Sequence, residues 1–465
     1  MRWVAAEIAE VVGGEVTRGD PHVALDRITQ DSREVDPDRS TLLVPLLAER
    51  DGHEFVAGSG AAATLSERPA PHLGLDTMLE PDMTVIEVHD TAVALRELAS
   101  AGRLRLRGCQ VVGITGSVGK TTTKDLLAGV LAADRPTHAS TRSFNNEIGV
   151  PLTILNAPDE TEALILEMGA RGIGHIRHLC GVGRPTIGIV TAVGAAHTSE
   201  FGSVEAVAQG KGELVEALPS ARDGGVAVLA AAQPLVASMA DRTDARVVTF
   251  GEGGDVHATD IELDDELQPS FTLQSPWGSA PIVLGARGVH LVDNALAAAA
   301  AALAVDVPID TVAQGLATPT LSPMRMSLVR AARGTRVIDD TYNANPMSVE
   351  AAIRSLLALP IGSGGRRIAV LGEMAELGDV SAVEHARMGR FAADRGVTVI
   401  AVSAPDYLAE IESDAGGHAL AGGIPEAARL LGAPPIGAPI GPDDVVLVKG
   451  SRVAELEKLV ALLAD

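Results

Sequence analysis

The chain of 465 residues is short of several things, and each shortage excludes a class of protein. Cysteine occurs twice, at Cys109 and Cys180, too few for a disulfide framework. Aromatic residues make up 2%, so the core is expected to consist of aliphatic and small side chains. The longest apolar run, residues 295–305, is too short to cross a bilayer. The start, Met1-Arg2-Trp3 with Glu7 and Glu10 close behind, lacks the basic-then-apolar pattern of a signal peptide. A soluble, cytoplasmic, monomeric chain without membrane insertion is therefore expected. Positive charge is scarce too: 37 Lys+Arg face 61 Asp+Glu, for a net charge of −24. That argues against nucleic acid as a main partner, which needs a basic surface. It leaves a nucleotide open, because one local pocket suffices for its phosphates. Lysine is the scarcest charge, with Lys120, Lys124, Lys211, Lys449 and Lys458 against 32 arginines. Where any positive charge would serve, this chain uses Arg, so each remaining Lys invites a chemical reason.

What is present is globular: 46% hydrophobic and 21% charged residues, in a length that suggests about three domains. Residues 1–108 carry short apolar runs broken by acidic, Pro and Gly positions, and close on a helical pattern over 91–107. From Cys109 the pattern changes to short apolar runs alternating with helical stretches. Strands are predicted near 109–114, 163–166, 186–193 and 225–232, with a helix over 120–133. Buried strands alternating with helices indicate a parallel α/β sheet. A second such set, with strands at 336–339, 367–371, 397–403 and 444–448, begins near Arg325. The alanine-rich stretch 295–304 reads as a buried helix end. The expected divisions are 1–108, 109–320 and 321–465.

The strongest local signal is Gly113-Ile114-Thr115-Gly116-Ser117-Val118-Gly119-Lys120-Thr121-Thr122, between a predicted strand and a predicted helix. Small residues let backbone N–H groups turn onto phosphate oxygens, and the helix N-terminus adds partial positive charge. Lys120 would reach the terminal phosphates and a Thr hydroxyl would face Mg²⁺. The bland alternative is a Gly-rich strand-to-helix turn, and Lys-Thr-Thr weighs against it. The base-reading Asn-Lys-x-Asp of GTPases is absent, since none of the six Asn precedes a Lys. Glu167 and His197 follow the next apolar runs, at strand ends where ligands of open α/β sheets gather. Oxygen and imidazole donors beside phosphates suit Mg²⁺ or Mn²⁺. His175, His178 and Cys180 share a predicted helix, but a thiolate is a poor Mg²⁺ ligand and no fourth ligand is near.

At this point many blocks align with one family. Gly116-Ser117-x-Gly119-Lys120-Thr121-Thr122, Asn145-Asn146-Glu147-Ile148-Gly149-Val150-Pro151, Glu167-Met168-Gly169-Ala170 and Gly194-Ala195-Ala196-His197 resemble the Mur ligases. So do Lys211-Gly212-Glu213, Asn294-Ala295-Leu296, Asp340-Thr341-Tyr342-Asn343-Ala344-Asn345-Pro346 and Gly372-Glu373-Met374-Ala375-Glu376-Leu377-Gly378. The last two sets resemble the family member that adds D-alanyl-D-alanine to UDP-N-acetylmuramoyl-tripeptide. The resemblance implies an N-terminal α/β UDP-sugar-binding domain, a central ATPase domain with a parallel sheet, and a C-terminal Rossmann-like domain. It implies amide ligation driven by ATP through an acyl phosphate, in peptidoglycan precursor synthesis. It further implies an ATP site of Gly116 to Thr122 with Asn294, Arg325, Asp340 and Asn343. Mg²⁺ would be held by Thr121, Glu167 and His197, and by Lys211 as a CO₂-derived carbamate. Ser32, Arg33, Asn145 and Asn146 would lie on the UDP-sugar side. Only an amine can be carbamylated, which fits a lysine retained among arginines.

The pattern is broken in places. A Phe-Val-Ala-Leu-x-Gly-Glu-like loop is replaced by Leu43-Val44-Pro45-Leu46-Leu47-Ala48-Glu49, with Ala48 in the glycine place. An alanine there would be strained if the backbone needed positive φ. Val118 replaces a frequent Asn, Arg142-Ser143 a Gly-Asn, and Leu291 another Asn. Two other readings therefore stay open: a paralogue joining a different carboxylate and amine, or a nucleotide-binding protein without turnover. The intact C-terminal blocks favour the cell-wall ligase.

Overall fold

The computed structural model describes all residues except 37, 76–81, 142, 195–197, 412–416, 433–438 and 465. After a short helix α1 (Ala5–Val11), the N-terminal sheet is formed by β1 (Glu15–Arg18), β2 (Arg27–Thr29), β3 (Thr41–Leu43), β4 (Ala63–Ser66) and β5 (Thr84–Glu87). Its order is β1-β5-β4-β3-β2, parallel except where β1 meets β5. Helix α2 (Thr91–Arg105) follows, started by Asp90, whose carboxylate accepts from the backbone of Val93.

The central sheet runs through β6 (Gln110–Thr115), α3 (Lys120–Ala132), β7 (Thr137–Ala139), α4 (Gly149–Leu155), β8 (Ala163–Glu167), α5 (His175–Gly183), β9 (Ile187–Val190), α6 (Val204–Glu216), β10 (Val226–Ala230) and β11 (Arg246–Phe250). All six strands are parallel, in the order β11-β10-β9-β6-β8-β7. Strand β6 is a nearly continuous buried run because helices cover both faces. Gly113 and Gly188 pair across β6 and β9, and a Cβ on Gly113 would stand 2.8 Å from the side chain of Leu214. These glycines let α6 lie close on the sheet, which carries Lys211 in behind the phosphate loop.

An antiparallel sheet, β12 (His257–Leu263), β13 (Pro269–Ser275) and β14 (Gly278–Val283), comes next and was not anticipated. Strands β13 and β14 alternate inward and outward positions, with Phe271, Leu273, Ala280 and Ile282 inward, while β12 is an edge strand with no buried residue. Helices α7 (Leu291–Leu303) and α8 (Ile309–Ala317) then pack on α3. The predicted alanine-rich helix is α7: it is buried along its length except at Asp293, and its methyl side chains allow the close approach.

The C-terminal sheet contains β15 (Ser327–Arg330), β16 (Arg336–Asp340), β17 (Arg367–Leu371), β18 (Val397–Val402), β19 (Ala419–Ala421) and β20 (Val445–Lys449). The order is β15-β16-β20-β17-β18-β19, parallel apart from β15. Helix α9 (Pro346–Ala358) opens on a capping box of Asn345 and Ser348, and α10 (Ser381–Ala393) packs beside it. The observed strands match the predicted ones within a few residues. The carboxyl ends of β16, β20 and β17 face the carboxyl end of β6, where ligands of such sheets bind. No described helix is long and apolar enough to cross a membrane.

Candidate active site

The two parallel sheets enclose a cleft of about 590 Å³. One wall is the phosphate loop. Gly119 takes left-handed φ of +83° as the N-cap of α3, so Lys120 and Thr121 form the first turn with their N–H groups toward the cleft. Gly116 is as necessary, since a Cβ there would fall 1.9 Å from the Thr191 hydroxyl. Thr191 donates to the Val118 carbonyl at 2.5 Å, and Ser117 exchanges hydrogen bonds with Gly194. Val118 is therefore held through its backbone, which is why the loop accepts it in place of Asn.

Lys120 Nζ bonds the Gly116 carbonyl at 2.7 Å. Burial pulls its pKa down, while Glu167 opposes that shift. Glu167, at the carboxyl end of β8, accepts from Thr121 at 2.8 Å through one oxygen and from the Asn145 amide at 2.9 Å through the other. The residue is 1% exposed. Lys211 is also 1% exposed, with no hydrogen bond or ion pair to any other described residue. Burial, and then the charge of Lys120, hold its pKa far below that of an ordinary lysine. His197 lies outside the described residues. The hard oxygens of Glu167 and Thr121 fit Mg²⁺, which takes few protein carboxylates and shares its shell with phosphates.

Asn294 on α7 donates to the Gly119 carbonyl at 3.2 Å and the Thr123 hydroxyl at 3.0 Å, so it braces the loop directly. From the C-terminal side, Arg325 donates to the Thr121 hydroxyl at 2.9 Å, and its guanidinium lies 4.3 Å from the ring centre of Tyr342. Its Nε is buried with no hydrogen-bond partner among the described residues. Asp340, at the end of β16, pairs with Lys449 at 2.5 Å. Their strands hold them in register, and Lys449 also donates to the Asn343 carbonyl at 2.9 Å. His290 stands beside this pair; desolvation pulls its pKa down to about 4.

The structure thus brings Gly116 to Thr122, Asn145, Glu167, Asn294, Arg325, Asp340 and Asn343 to one place, with Lys211 buried outside the cleft lining but near enough to feel the charge of Lys120. Asn146 points elsewhere: its side-chain oxygen accepts from the backbone of Ile148 and Gly149 and starts α4. Ser32 and Arg33 are absent from the cleft walls. Arg33 is highly exposed and forms a two-point pair with Asp31. A smaller cavity of about 170 Å³ lies near them, between β2 and the central domain, lined by Arg27, Arg39, Glu34, His138 and Phe144 among others. Ala48 keeps an ordinary negative φ in the turn closed by Leu47 and Asp51, so the missing glycine causes no strain. Cys180 packs on Met168 inside the apolar core. His290 was not singled out from the sequence; Tyr342, Glu376 and Thr191 entered only as members of quoted runs with no role of their own, and Lys449 through the scarcity of lysine and the family-like run Val448-Lys449-Gly450-Ser451-Arg452.

Comparison with known proteins agrees with this geometry. Residues 114–302 match the Mur ligase middle domain and residues 324–452 the Mur ligase glutamate ligase domain. The chain is 40% identical to the UDP-N-acetylmuramoyl-tripeptide–D-alanyl-D-alanine ligase of Mycobacterium bovis, across 99% of this chain and 97% of the relative. It is 33% identical to the enzyme of that name from Escherichia coli, across 99% and 98%. Among solved structures, MurF from Acinetobacter baumannii superposes with a TM-score of 0.84 at 30% identity, covering 100% of this chain and 99% of the other. MurF ligase from Thermotoga maritima in complex with ADP gives 0.78 at 27%, covering 95% and 97%. This chain belongs to the Mur ligase family.

Proposed function

We propose that the chain is an ATP-dependent ligase that joins D-alanyl-D-alanine to UDP-N-acetylmuramoyl-tripeptide, in the cytoplasmic stage of peptidoglycan precursor synthesis. The observation that carries this reading is the convergence of the phosphate loop, Glu167 and Arg325 in one cleft built by two domains. Near-full-length identity to ligases of that name supports the choice of substrates. In this reading residues 1–108 hold the UDP-sugar, 109–320 the ATP, and 321–465 close the site. In the same reading the small cavity between β2 and the central domain, lined by Gln30 and Glu34 on either side of Ser32 and Arg33 in the chain, would belong to the UDP-sugar side.

Lys120 and the loop N–H groups bind the β- and γ-phosphates and stabilise charge on the transferring phosphoryl group. The Nε–H of Arg325, which has no hydrogen-bond partner among the described residues, supplies a further donor for a phosphate oxygen. The tripeptide's terminal carboxylate attacks the γ-phosphorus, and ADP leaves. The dipeptide's amine then attacks the acyl carbon of the resulting acyl phosphate, the C–O bond to phosphate breaks, and nitrogen gives up a proton. Thr121 and Glu167, with His197 and carbamylated Lys211 by family resemblance, would hold Mg²⁺, which neutralises phosphate charge when bound. A buried amine without a partner among the described residues is suited to react with CO₂, forming an N–C bond and releasing a proton. A carbamate carbon signal from ¹³C-bicarbonate that vanishes in Lys211→Arg tests that modification.

The functional test is phosphate release from ATP and Mg²⁺ with both substrates, omitting each in turn. Release that requires both, with a UDP-linked pentapeptide identified by mass, is the expected result. ATP binding without release would refute the assigned substrates and favour a paralogue acting on another carboxylate and amine.

A further inference from the structure

We propose that Leu267 is a positioning residue: it seats the C-terminal domain so that Arg325 reaches the phosphate loop, and the chemical role it gives Arg325 rests on the ligase reading above. The antiparallel sheet of β12 to β14 belongs to the central domain, and its inward residues Phe271, Leu273, Ala280 and Ile282 join the central core. The turn between β12 and β13 does not follow them. Leu267 in that turn is 1% exposed and lies in the C-terminal core, in one cluster with Met326, Ile338, Ile353 and Leu356. Leu263, at the end of β12, packs against the same cluster. An apolar side chain of one domain is thus buried in the core of the other, and close packing there depends on how the two domains sit.

The turn is built to hold that side chain out. One oxygen of the Asp264 carboxylate accepts from the N–H groups of Glu266 and Gln268, at 2.9 and 2.8 Å. The Asp264 N–H donates to the Gln268 carbonyl and the Leu267 N–H to the Asp264 carbonyl, both at 3.1 Å. Leu267 is left at φ +66°, in the left-handed region that a bulky side chain avoids. Such a conformation persists where its surroundings over-determine it. Polar contacts ring the buried leucine: Arg336 on β16 donates to the Asp265 carbonyl at 3.3 Å, and Glu266 pairs with Arg287 at 3.3 Å and lies 3.9 Å from Arg330 on β15. Exposed pairs of that kind hold little by themselves, so the leucine is the main tie. On the other side of the joint, Met324 and Met326 flank Arg325 at φ +60° and +51°. Both are bound to the C-terminal domain: the Tyr342 N–H donates to the Met324 carbonyl and the Met326 N–H to Asp340, each at 3.2 Å. Arg325 therefore moves with the C-terminal core, and Leu267 fastens that core to the domain whose Thr121 receives Arg325.

The test has two readouts on the full chain. In small-angle scattering without ligand, Leu267→Ala should raise the radius of gyration above that of wild type, and Leu267→Met, which refills the space, should restore it. Leu267→Gly removes the same side chain and relieves the left-handed backbone, so it gives the expanded state with a cooperative melt even if Leu267→Ala unfolds. The second readout is equilibrium binding of ATP with Mg²⁺ and no other substrate. Arg325→Ala should raise Kd about tenfold and Leu267→Ala about fivefold, whereas adding Leu267→Ala to Arg325→Ala should change Kd by less than about twofold. A leucine that only stabilised the fold would cost the same factor in both backgrounds. Equal factors there, or an unchanged radius of gyration in Leu267→Ala and Leu267→Gly, would overturn the proposal. ATP that bound but drove no ligation would refute the substrate reading and leave both readouts in force. ATP that failed to bind wild type would refute the nucleotide site, and scattering would then decide the role of Leu267.

Discussion

Arg325 of the C-terminal region donates to the hydroxyl of Thr121 on the phosphate loop at 2.9 Å, while Thr121 donates to Glu167 at 2.8 Å. A residue that follows the last helix of the central region therefore completes the hydrogen bonding of the loop on β6. Neither half of the chain contains a finished site. The ring of Tyr342 fixes the guanidinium in this position, because a cation over an aromatic face is attracted by the ring quadrupole.

From this follows a graded series. Tyr342→Phe keeps the aromatic face and should retain kcat within about twofold. Tyr342→Leu removes an attraction worth about 1 kcal/mol and should lower kcat about fivefold. Arg325→Ala removes a donor to transferring phosphate and should cost about 10²-fold. Rapid-quench measurement of acyl-phosphate formation checks the order; equal losses in the two Tyr342 variants would contradict it.

Much of this was legible in the sequence, for a definable reason. Strands covered on both faces must be apolar runs, so the strand predicted at 367–371 is Arg367–Leu371 in the structure. The phosphate loop was legible because backbone geometry demands its glycines. The strand predicted over 186–193 stops at Val190, since Thr191 turns its hydroxyl to Val118 and the Val193 N–H goes to Gln233. Apolar composition could not report that exit. Strands β13 and β14 escaped because their inward residues alternate with Ser, Thr and Gln in a weak pattern, and β12 because it has no buried residue to give a pattern. Contacts between domains have no period at all: a Cβ on Gly194 would fall 2.1 Å from the Met347 sulfur, and no local rule joins those two positions.

Both cysteines should be chemically silent in the folded protein. Burial pushes the thiol of Cys109 up to about 11 and that of Cys180 up to about 12, so almost no thiolate exists at pH 8. A chromogenic disulfide reagent should titrate two thiols in denaturant and fewer than about 0.1 per chain in minutes without it. Rapid labelling of the native protein would show that one of these sites opens.

Gly119 and Asn294 should fail together. A Cβ on Gly119 would come within 2.3 Å of the Asn294 amide nitrogen, and the residue would also sit at φ +83°. Gly119→Ala should therefore displace Asn294 and raise KM for ATP about tenfold or more, as should Asn294→Ala, which leaves the Gly119 carbonyl and Thr123 hydroxyl without that donor. Because both changes break one contact, the double variant should lose much less than the product of the single effects. Multiplicative losses in a double-mutant cycle would show that the two residues act separately.

His290 should make the fold sensitive to mild acid. In the native state its pKa is pulled down to about 4, first by desolvation and then by Lys449, against the pull of Asp340. In the unfolded chain it titrates near 6.5. Between those values the unfolded state binds a proton that the native state refuses, so stability falls as pH drops from 6.5 to 4 and is unaffected by this group above pH 7. The full shift corresponds to at most about 3 kcal/mol. His290→Gln removes the titration, so the gap between variant and wild-type unfolding free energies should shift in the variant's favour across that window. Denaturant melts at pH 4.5, 5.5 and 7.5 measure the gap directly. Carboxylates that titrate in the same range are common to both proteins and cancel in the difference, so a gap that stays constant with pH would mean His290 is protonated as readily in the fold as in water.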